Sequence, residues 1–169
     1  IPLICDPVMV AKGGHPLLEA QAEAAIVAHM LPRAAVVTPN LPEAARLIGQ
    51  DAVASDDAAF VAAAQALRAK GAAAVLLKGG HAEGPDVTNL LLSDAGPQWI
   101  GRATRIETRH THGTGCTLAS ALAVGVAQGL SLDAAAERAA AYVRRAIETA
   151  PGFGAGHGPI DFCWPLRPE

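Results

Sequence analysis

Charged and aromatic residues are scarce in this sequence of 169 residues. Asp, Glu, Lys and Arg together make up 17% of the residues, Phe, Trp and Tyr make up 4%, and the formal net charge is −3. Proteins that bind nucleic acid or acidic membranes through electrostatics carry a concentrated positive field. The sequence therefore predicts neither a nucleic-acid partner nor a membrane partner.

Long apolar runs and patterned cysteines are also missing. No stretch reaches the roughly 18 apolar residues of a transmembrane helix, and the first residues lack the charged start and apolar core of a signal peptide. The three cysteines, Cys5, Cys116 and Cys163, are widely spaced and odd in number, which favours neither a disulfide framework nor a zinc site. We therefore expect a cytoplasmic protein that requires no zinc.

Apolar residues are abundant, at 51% of the total, which is enough for one sizeable core. Short runs that are apolar throughout, at residues 1–5, 34–37 and 73–77, indicate buried strands. Other segments have apolar residues at helical spacing, with capping residues at several of their ends. These predicted helices cover residues 16–30, 42–48, 56–70, 118–129 and 131–149.

The remaining segments predict a hairpin and an irregular tail. Residues 87–92 and 99–108 look like strands joined by turn residues, and residues 151–169 are rich in Gly and Pro without periodicity. Fully apolar strands that alternate with helices are typical of a parallel sheet covered by helices on both faces. The sequence therefore predicts one α/β domain over residues 1–169.

Polar side chains follow each of the three apolar strands. Asp6 follows the first strand, Asn40 and Glu43 follow the second, and Lys78 follows the third. Ligands of parallel α/β sheets bind at the carboxyl ends of the strands, where oxygen ligands suit Mg²⁺ and an ammonium suits a phosphate. An alternative interpretation makes Asn40 and Glu43 a helix capping box, and makes Asp6 and Lys78 ordinary loop charges.

A turn rich in small residues, HGTGCT at residues 112–117, precedes the fourth predicted helix. Small residues let backbone N–H groups approach an anion, and the helix dipole favours negative charge, so this turn is a candidate phosphate cradle. Cys116 would lie in the first helical turn, where the dipole favours a thiolate that could accept a proton. The alternatives are a plain tight turn and a cysteine that only packs as a small hydrophobe.

Together these motifs resemble those of hydroxymethylpyrimidine/phosphomethylpyrimidine kinases, which belong to the ribokinase-like superfamily. The matching motifs are DPVMVAK at residues 6–12, TPNLPEA at residues 38–44, LKGGH at residues 77–81, THGTGCT at residues 111–117 and GHGPID at residues 156–161. The resemblance implies a ribokinase-like three-layer α/β/α sandwich with a mostly parallel central sheet, from which the N-terminal strands of the family are missing.

The resemblance also implies a role for each polar motif. The anion hole over the transferred phosphoryl group would consist of Gly113, Thr114, Gly115 and Cys116. Cys116 stands where many members of the superfamily carry an aspartate base. Asn40 and Glu43 would organise Mg²⁺ and phosphate with help from Asp6.

Two further roles concern the bound molecules. Lys78 and Thr111 would lie along the phosphates of ATP, and Val8 would lie near the pyrimidine. The implied activity is ATP- and Mg²⁺-dependent phosphorylation of hydroxymethylpyrimidine and of its monophosphate in thiamin biosynthesis, by a homodimer. Two alternatives stay open at this stage, a pyridoxal kinase and a non-catalytic nucleotide-binding fragment.

Overall fold

The structure is a computed structural model that describes residues 1–10 and 15–167. It forms two compact units, residues 1–103 and the described residues from 104 onward. The prediction of one domain over residues 1–169 therefore stays a prediction. The end of the first motif, residues 11 and 12, lies outside the described residues.

A five-stranded sheet has its strands in the order β1-β2-β3-β4-β5. The strands are β1 (Ile4–Cys5), β2 (Val36–Val37), β3 (Val75–Lys78), β4 (Asp86–Ser93) and β5 (Gly96–Thr104). The pairs β1–β2 and β2–β3 are parallel, and β3–β4 is antiparallel. The three predicted parallel strands and the hairpin of β4 and β5 are thus confirmed, although β5 ends four residues earlier than predicted.

The core of the first unit lies between this sheet and two helices, α2 (Leu41–Ile48) and α3 (Asp57–Ala69). Strands β2 and β3 are buried along their whole length, as their uninterrupted apolar sequence predicts. The core residues that these elements share are Val37, Leu41, Ala44, Leu47, Phe60, Ala64, Leu67, Val75 and Leu77. Burial of each large side chain contributes about 1.5–3 kcal/mol.

The first predicted helix is much shorter in the structure than the range 16–30. Pro16 forms an isolated antiparallel bridge with Val10, and the regular helix α1 covers only Ala20–Ala25. A π-helical turn at Ile26–Met30 and a 3₁₀ turn at Leu31–Arg33 follow it. Pro32 lacks an N–H, and its ring clashes with the carbonyl four residues earlier, so a regular α-helix cannot continue through it.

The second unit is built on α4 (Thr114–Ala127) and α5 (Leu132–Glu148), whose ranges agree with the prediction to within a few residues. The two helices approach closely at Gly125, where an ideal Cβ would lie 2.7 Å from the Cβ of Ala135. The described part of the tail, residues 151–167, is irregular except for a bridge at Pro159 and a 3₁₀ turn at Trp164–Leu166. Among the described residues, no helix combines the length and the apolar character needed to span a bilayer.

Candidate active site

The ends of β1, β2 and β3 bring together side chains that are far apart in the sequence. We call Asp6, Thr38, Asn40, Glu43 and Lys78 the strand-end cluster. The Nζ of Lys78 lies 2.7 Å from Oδ1 of Asp6 and 3.7 Å from Oε2 of Glu43. The predicted convergence of Asp6, Glu43 and Lys78 at one edge of the sheet is therefore present in the structure.

Backbone pairing explains why these side chains meet. Cys5 pairs with Val37, and Val37 pairs with Val75, so the three strands end at the same edge of the sheet. Beyond the strands, the N–H of Lys78 donates to the carbonyl of Pro39 over 2.8 Å. The loop after β2 is thereby held beside the end of β3.

Asn40 and Glu43 form the capping box that was the alternative interpretation of this motif. Oδ1 of Asn40 accepts a hydrogen bond from the Glu43 N–H over 2.9 Å, and Oε2 of Glu43 accepts one from the Asn40 N–H over 2.7 Å. The amide oxygen of Asn40 is therefore occupied by the helix end. Glu43 also faces Lys78, so the capping role and a role in the site are compatible for this carboxylate.

Burial dominates the electrostatics of the strand-end cluster. Glu43 is 3% exposed and Lys78 is 8% exposed. Burial raises the pKa of the Glu43 carboxyl above its ordinary value, and the Lys78 ammonium and the Asn40 N–H oppose only part of that rise. Buried ion pairs are weak contributors to stability, and perturbed carboxyls concentrate at functional sites, so the cluster is a candidate functional site.

The donor set of the cluster fits Mg²⁺ together with phosphate. Within the described residues, the hydrogen bonds of the two carboxylates use Oδ1 of Asp6 and Oε2 of Glu43. The second oxygen of each carboxylate is therefore available for a ligand. No group of three or more His, Cys, Asp or Glu residues suited to a metal occurs in residues 1–10 and 15–167. Mg²⁺ in kinases takes one or two carboxylates and completes its shell with water and phosphates.

The second unit contains the candidate phosphate cradle. Gly113 is the N-cap of α4 and has a φ of +90°, which favours glycine. The first intrahelical bond runs from the N–H of Thr117 to the carbonyl of Gly113, so the N–H groups of Gly115 and Cys116 belong to the open first turn, whereas the Thr114 N–H donates to the carbonyl of Thr111 over 3.5 Å. Cys116 is exposed in this turn, and its role as a base stays a prediction.

The C-terminal motif holds the Gly113 turn in place. The N–H of His112 donates to the carbonyl of Gly158 over 3.1 Å, and His112 pairs with Pro159 in a parallel bridge. An ideal Cβ at Gly113 would lie 3.1 Å from Cζ of Phe162. The sequence motif at residues 156–161 thus has a structural role that its sequence did not reveal.

The other predicted site residues lie beside these two features. Val8 is exposed and donates its N–H to the carbonyl of Asp6, and the carbonyl of Thr111 accepts a hydrogen bond from the Thr114 hydroxyl. Thr38 was not predicted as a site residue, although it directly follows β2, the same kind of position that indicated the other candidates. Burial, and then the Asp6 carboxylate, raise the pKa of the Cys5 thiol, as expected for a core cysteine.

Comparisons with known proteins agree with the motifs. A family model described as phosphomethylpyrimidine kinase matches residues 1–161. A hydroxymethylpyrimidine/phosphomethylpyrimidine kinase of Rhizobium meliloti (strain 1021) is 46% identical over 93% of this chain and 59% of its own length. The enzyme of the same name from Streptomyces coelicolor is 44% identical over 98% of this chain and 60% of its own length.

Solved structures support the fold assignment. The pyridoxal kinase of Staphylococcus aureus in complex with ADP aligns with a TM-score of 0.87 and 31% identity, covering 95% of this chain and 58% of that protein. The predicted ribokinase-like α/β fold is thereby confirmed. The chain spans about three fifths of the length of the relatives it matches. It belongs to the phosphomethylpyrimidine kinase family.

Proposed function

We propose that the gene product containing this chain phosphorylates hydroxymethylpyrimidine and then its monophosphate, with ATP as the phosphoryl donor, in thiamin biosynthesis. The observation that carries this proposal is the strand-end cluster, in which a buried ammonium lies between two carboxylates at the edge of a parallel sheet. The two kinases that are 46% and 44% identical support the choice of substrate. A homodimer in the cytoplasm is part of the same proposal.

The strand-end cluster binds the phosphates of ATP. The ammonium of Lys78 pairs with a phosphate oxygen as a point charge, and Thr111 of the second unit is a further contact to phosphate. Asp6 and Glu43 hold Mg²⁺ through the carboxylate oxygens that their hydrogen bonds leave available. When bound, Mg²⁺ neutralises negative charge on the β- and γ-phosphates. Val8 contributes an apolar contact to the pyrimidine.

The chemical step is an in-line displacement at the γ-phosphorus of ATP. The hydroxymethyl oxygen forms the new P–O bond, the bond to the bridging oxygen of the β-phosphate breaks, and ADP leaves with that electron pair. The thiolate of Cys116 accepts the hydroxyl proton. The N–H groups from Gly113 to Cys116 stabilise the charge of the transferred group. In the second round, a phosphate oxygen of the monophosphate is the nucleophile.

A pyridoxal kinase is the second candidate function. The solved structures of pyridoxal kinases from Staphylococcus aureus and Bacillus subtilis, at 31% and 29% identity, favour it. Both candidates use a ring that carries a hydroxymethyl group, so the same phosphate-binding residues serve either reaction. The acceptor ring is therefore the property that separates them.

A substrate panel tests the proposal. The intact gene product is supplied with ATP, Mg²⁺ and one acceptor at a time: hydroxymethylpyrimidine, its monophosphate or pyridoxal. We expect ADP formation with both pyrimidine acceptors. Turnover of pyridoxal alone would move the assignment to the second candidate. ADP binding without turnover of any acceptor would contradict both and favour a non-catalytic nucleotide-binding protein.

A further inference from the structure

Thr38 is a fully buried polar residue within the strand-end cluster, at 0% exposure. Its hydroxyl donates a hydrogen bond to Oδ1 of Asp6 over 2.9 Å. The same oxygen accepts a hydrogen bond from the Lys78 ammonium over 2.7 Å. One carboxylate oxygen of Asp6 thus accepts hydrogen bonds from two donors, and neither of these hydrogen bonds uses its second oxygen.

The hydroxyl of Thr38 is the more rigid of these two donors. Its backbone N–H donates to the carbonyl of Cys5 over 2.9 Å, which extends the pairing of β1 with β2 up to Asp6 itself. A β-branched side chain also has a restricted χ1 angle. Lys78, in contrast, has a long flexible stem, and under the proposed function its ammonium is shared with a phosphate.

The carboxylate of Asp6 needs such a fixed donor. The terminal torsion of an aspartate has broad, roughly two-fold preferences, so the backbone alone does not orient the plane of the carboxylate. A donor that stays on Oδ1 keeps Oδ2 in one direction while Lys78 interacts with a ligand. Residues that orient a metal-binding carboxylate in this way typically change metal affinity or activity by about 10–100-fold when they are replaced.

We infer that Thr38 is a positioning residue whose hydroxyl orients Asp6, so that the second carboxylate oxygen faces the Mg²⁺ ion of a bound Mg²⁺–nucleotide. The inference rests on the proposed function, because that function supplies the Mg²⁺–nucleotide. A purely structural hydroxyl would affect folding and would leave the Mg²⁺ dependence unchanged.

Two substitutions in the intact gene product separate these roles. Thr38→Val keeps the branched shape and removes the hydroxyl, while Thr38→Ser keeps the hydroxyl and removes a methyl group. The first measurement is calorimetric titration of each protein with ADP, with and without Mg²⁺. The second is the apparent KM for Mg²⁺ and the kcat in the phosphorylation assay, and thermal unfolding monitors the fold.

For Thr38→Val we expect Mg²⁺–ADP binding to weaken and the apparent KM for Mg²⁺ to rise, each by about 10–100-fold. ADP binding without Mg²⁺ should change less than about twofold, and Thr38→Ser should restore most of the Mg²⁺ effect. The inference would be overturned if Thr38→Val left the Mg²⁺ dependence at the wild-type value. It would also be overturned if both substitutions weakened Mg²⁺–ADP binding equally.

The binding measurement distinguishes failure of this inference from failure of the proposed function. A wild-type protein that binds Mg²⁺–ADP and phosphorylates no pyrimidine contradicts the proposed function, while the comparison of the two Thr38 variants still decides the inference. A wild-type protein that phosphorylates pyrimidines, with a Thr38→Val variant of unchanged Mg²⁺ dependence, contradicts the inference alone. If the affinity of the wild-type protein for ADP is the same with and without Mg²⁺, the inference is overturned directly.

Discussion

Glu43 carries its carboxylate in a buried position, and this burial predicts a pH dependence of stability. Because the pKa of Glu43 is raised in the folded protein, the folded state binds this proton more tightly than the unfolded chain does. The contribution of Glu43 to the free energy of unfolding is therefore most favourable below its ordinary pKa. It declines as the pH rises through the raised value.

The substitution Glu43→Gln isolates this contribution, since an amide oxygen can still accept the hydrogen bond from the Asn40 N–H. We expect the free energy of unfolding of the wild type, minus that of Glu43→Gln, to fall as the pH rises above the ordinary carboxyl pKa of about 4. Denaturant unfolding at several pH values measures this difference. The same substitution at the exposed Glu83 is the matched control, and a difference that rises with pH would contradict the assignment.

Lys78 is the cation that the buried Glu43 and the partly buried Asp6 both face, so its removal should be costly. The side chains of Lys78 and Asp6 are 10% and 15% exposed. Breaking such a pair leaves a buried charge unpaired, and we expect Lys78→Met to lower the free energy of unfolding by about 3 kcal/mol. The exposed Lys70, replaced in the same way, serves as the control. Equal unfolding midpoints for the two variants would show that the pair is not buried as described.

Cys116 and Cys163 are both exposed, but only Cys116 lies in the first turn of α4. If its thiolate is the base, Cys116→Ala should lower kcat for hydroxymethylpyrimidine by about 10²–10⁴-fold. Cys163→Ala should leave kcat near the wild-type value. Steady-state kinetics of the two variants tests this expectation, and a kcat retained by Cys116→Ala would remove the thiol from the mechanism.

Sequence alone identified Asp6, Glu43 and Lys78 as candidates because each follows an apolar strand or caps the helix after one. The ion pair of Asp6 and Lys78 joins residues 72 positions apart, and it depends on strand register, which a single sequence does not specify. Thr38 was overlooked because a threonine at a strand end is common in any sheet. Its hydrogen bond to Asp6 becomes visible only when β1 and β2 are paired.

At the scale of elements, the turn after β3 depends on a glycine. An ideal Cβ at Gly79 would overlap the carbonyl oxygen of Thr88 on β4, whereas a Cβ at Gly80 would meet no described atom within 4 Å. The N–H of Gly79 also donates to the side chain of Asn89 over 3.2 Å. This close approach of the turn to β4 sets the position from which Lys78 points to the site.

We therefore expect Gly79→Ala to lower the free energy of unfolding by about 1–3 kcal/mol, the usual cost of overpacking. Gly80→Ala, one residue away, should cost much less, because its new methyl group has space. Urea unfolding of both variants provides the comparison. If Gly80→Ala were the more destabilising of the two, the described contact between the turn and β4 would be wrong.

Local patterns predicted most elements, and they failed where tertiary contacts or backbone chemistry compete with periodicity. Ser55 and Asp56 are both suitable caps for α3 by sequence, and the structure uses Asp56, whose side chain accepts from the Ala59 N–H over 2.9 Å. The helix predicted over residues 16–30 starts only at Ala20, because Pro16 is bridged to Val10, and its second half at Ile26–Met30 is a π-helical turn. Apolar spacing alone predicts neither the bridge at Pro16 nor the π-helical turn.

For the whole molecule, alternation of strands and helices was enough to predict the fold class, since few topologies suit apolar strands with helical connections. The division near residue 104 was not predictable, because no linker-like composition marks it. The chain spans about three fifths of the length of the relatives it matches, so the activity of the whole protein stays a proposal.

The central claim is that the strand-end cluster takes part in phosphoryl transfer to a pyrimidine. The most direct test is the rate of Mg²⁺-dependent transfer from ATP to hydroxymethylpyrimidine by the intact gene product, measured for the wild type and for Asp6→Asn. We predict transfer by the wild type and a loss of about 100-fold or more in kcat for Asp6→Asn, the usual cost of removing an electrostatic group from such a site. Equal rates for the two proteins, or no transfer by the wild type, would contradict the claim.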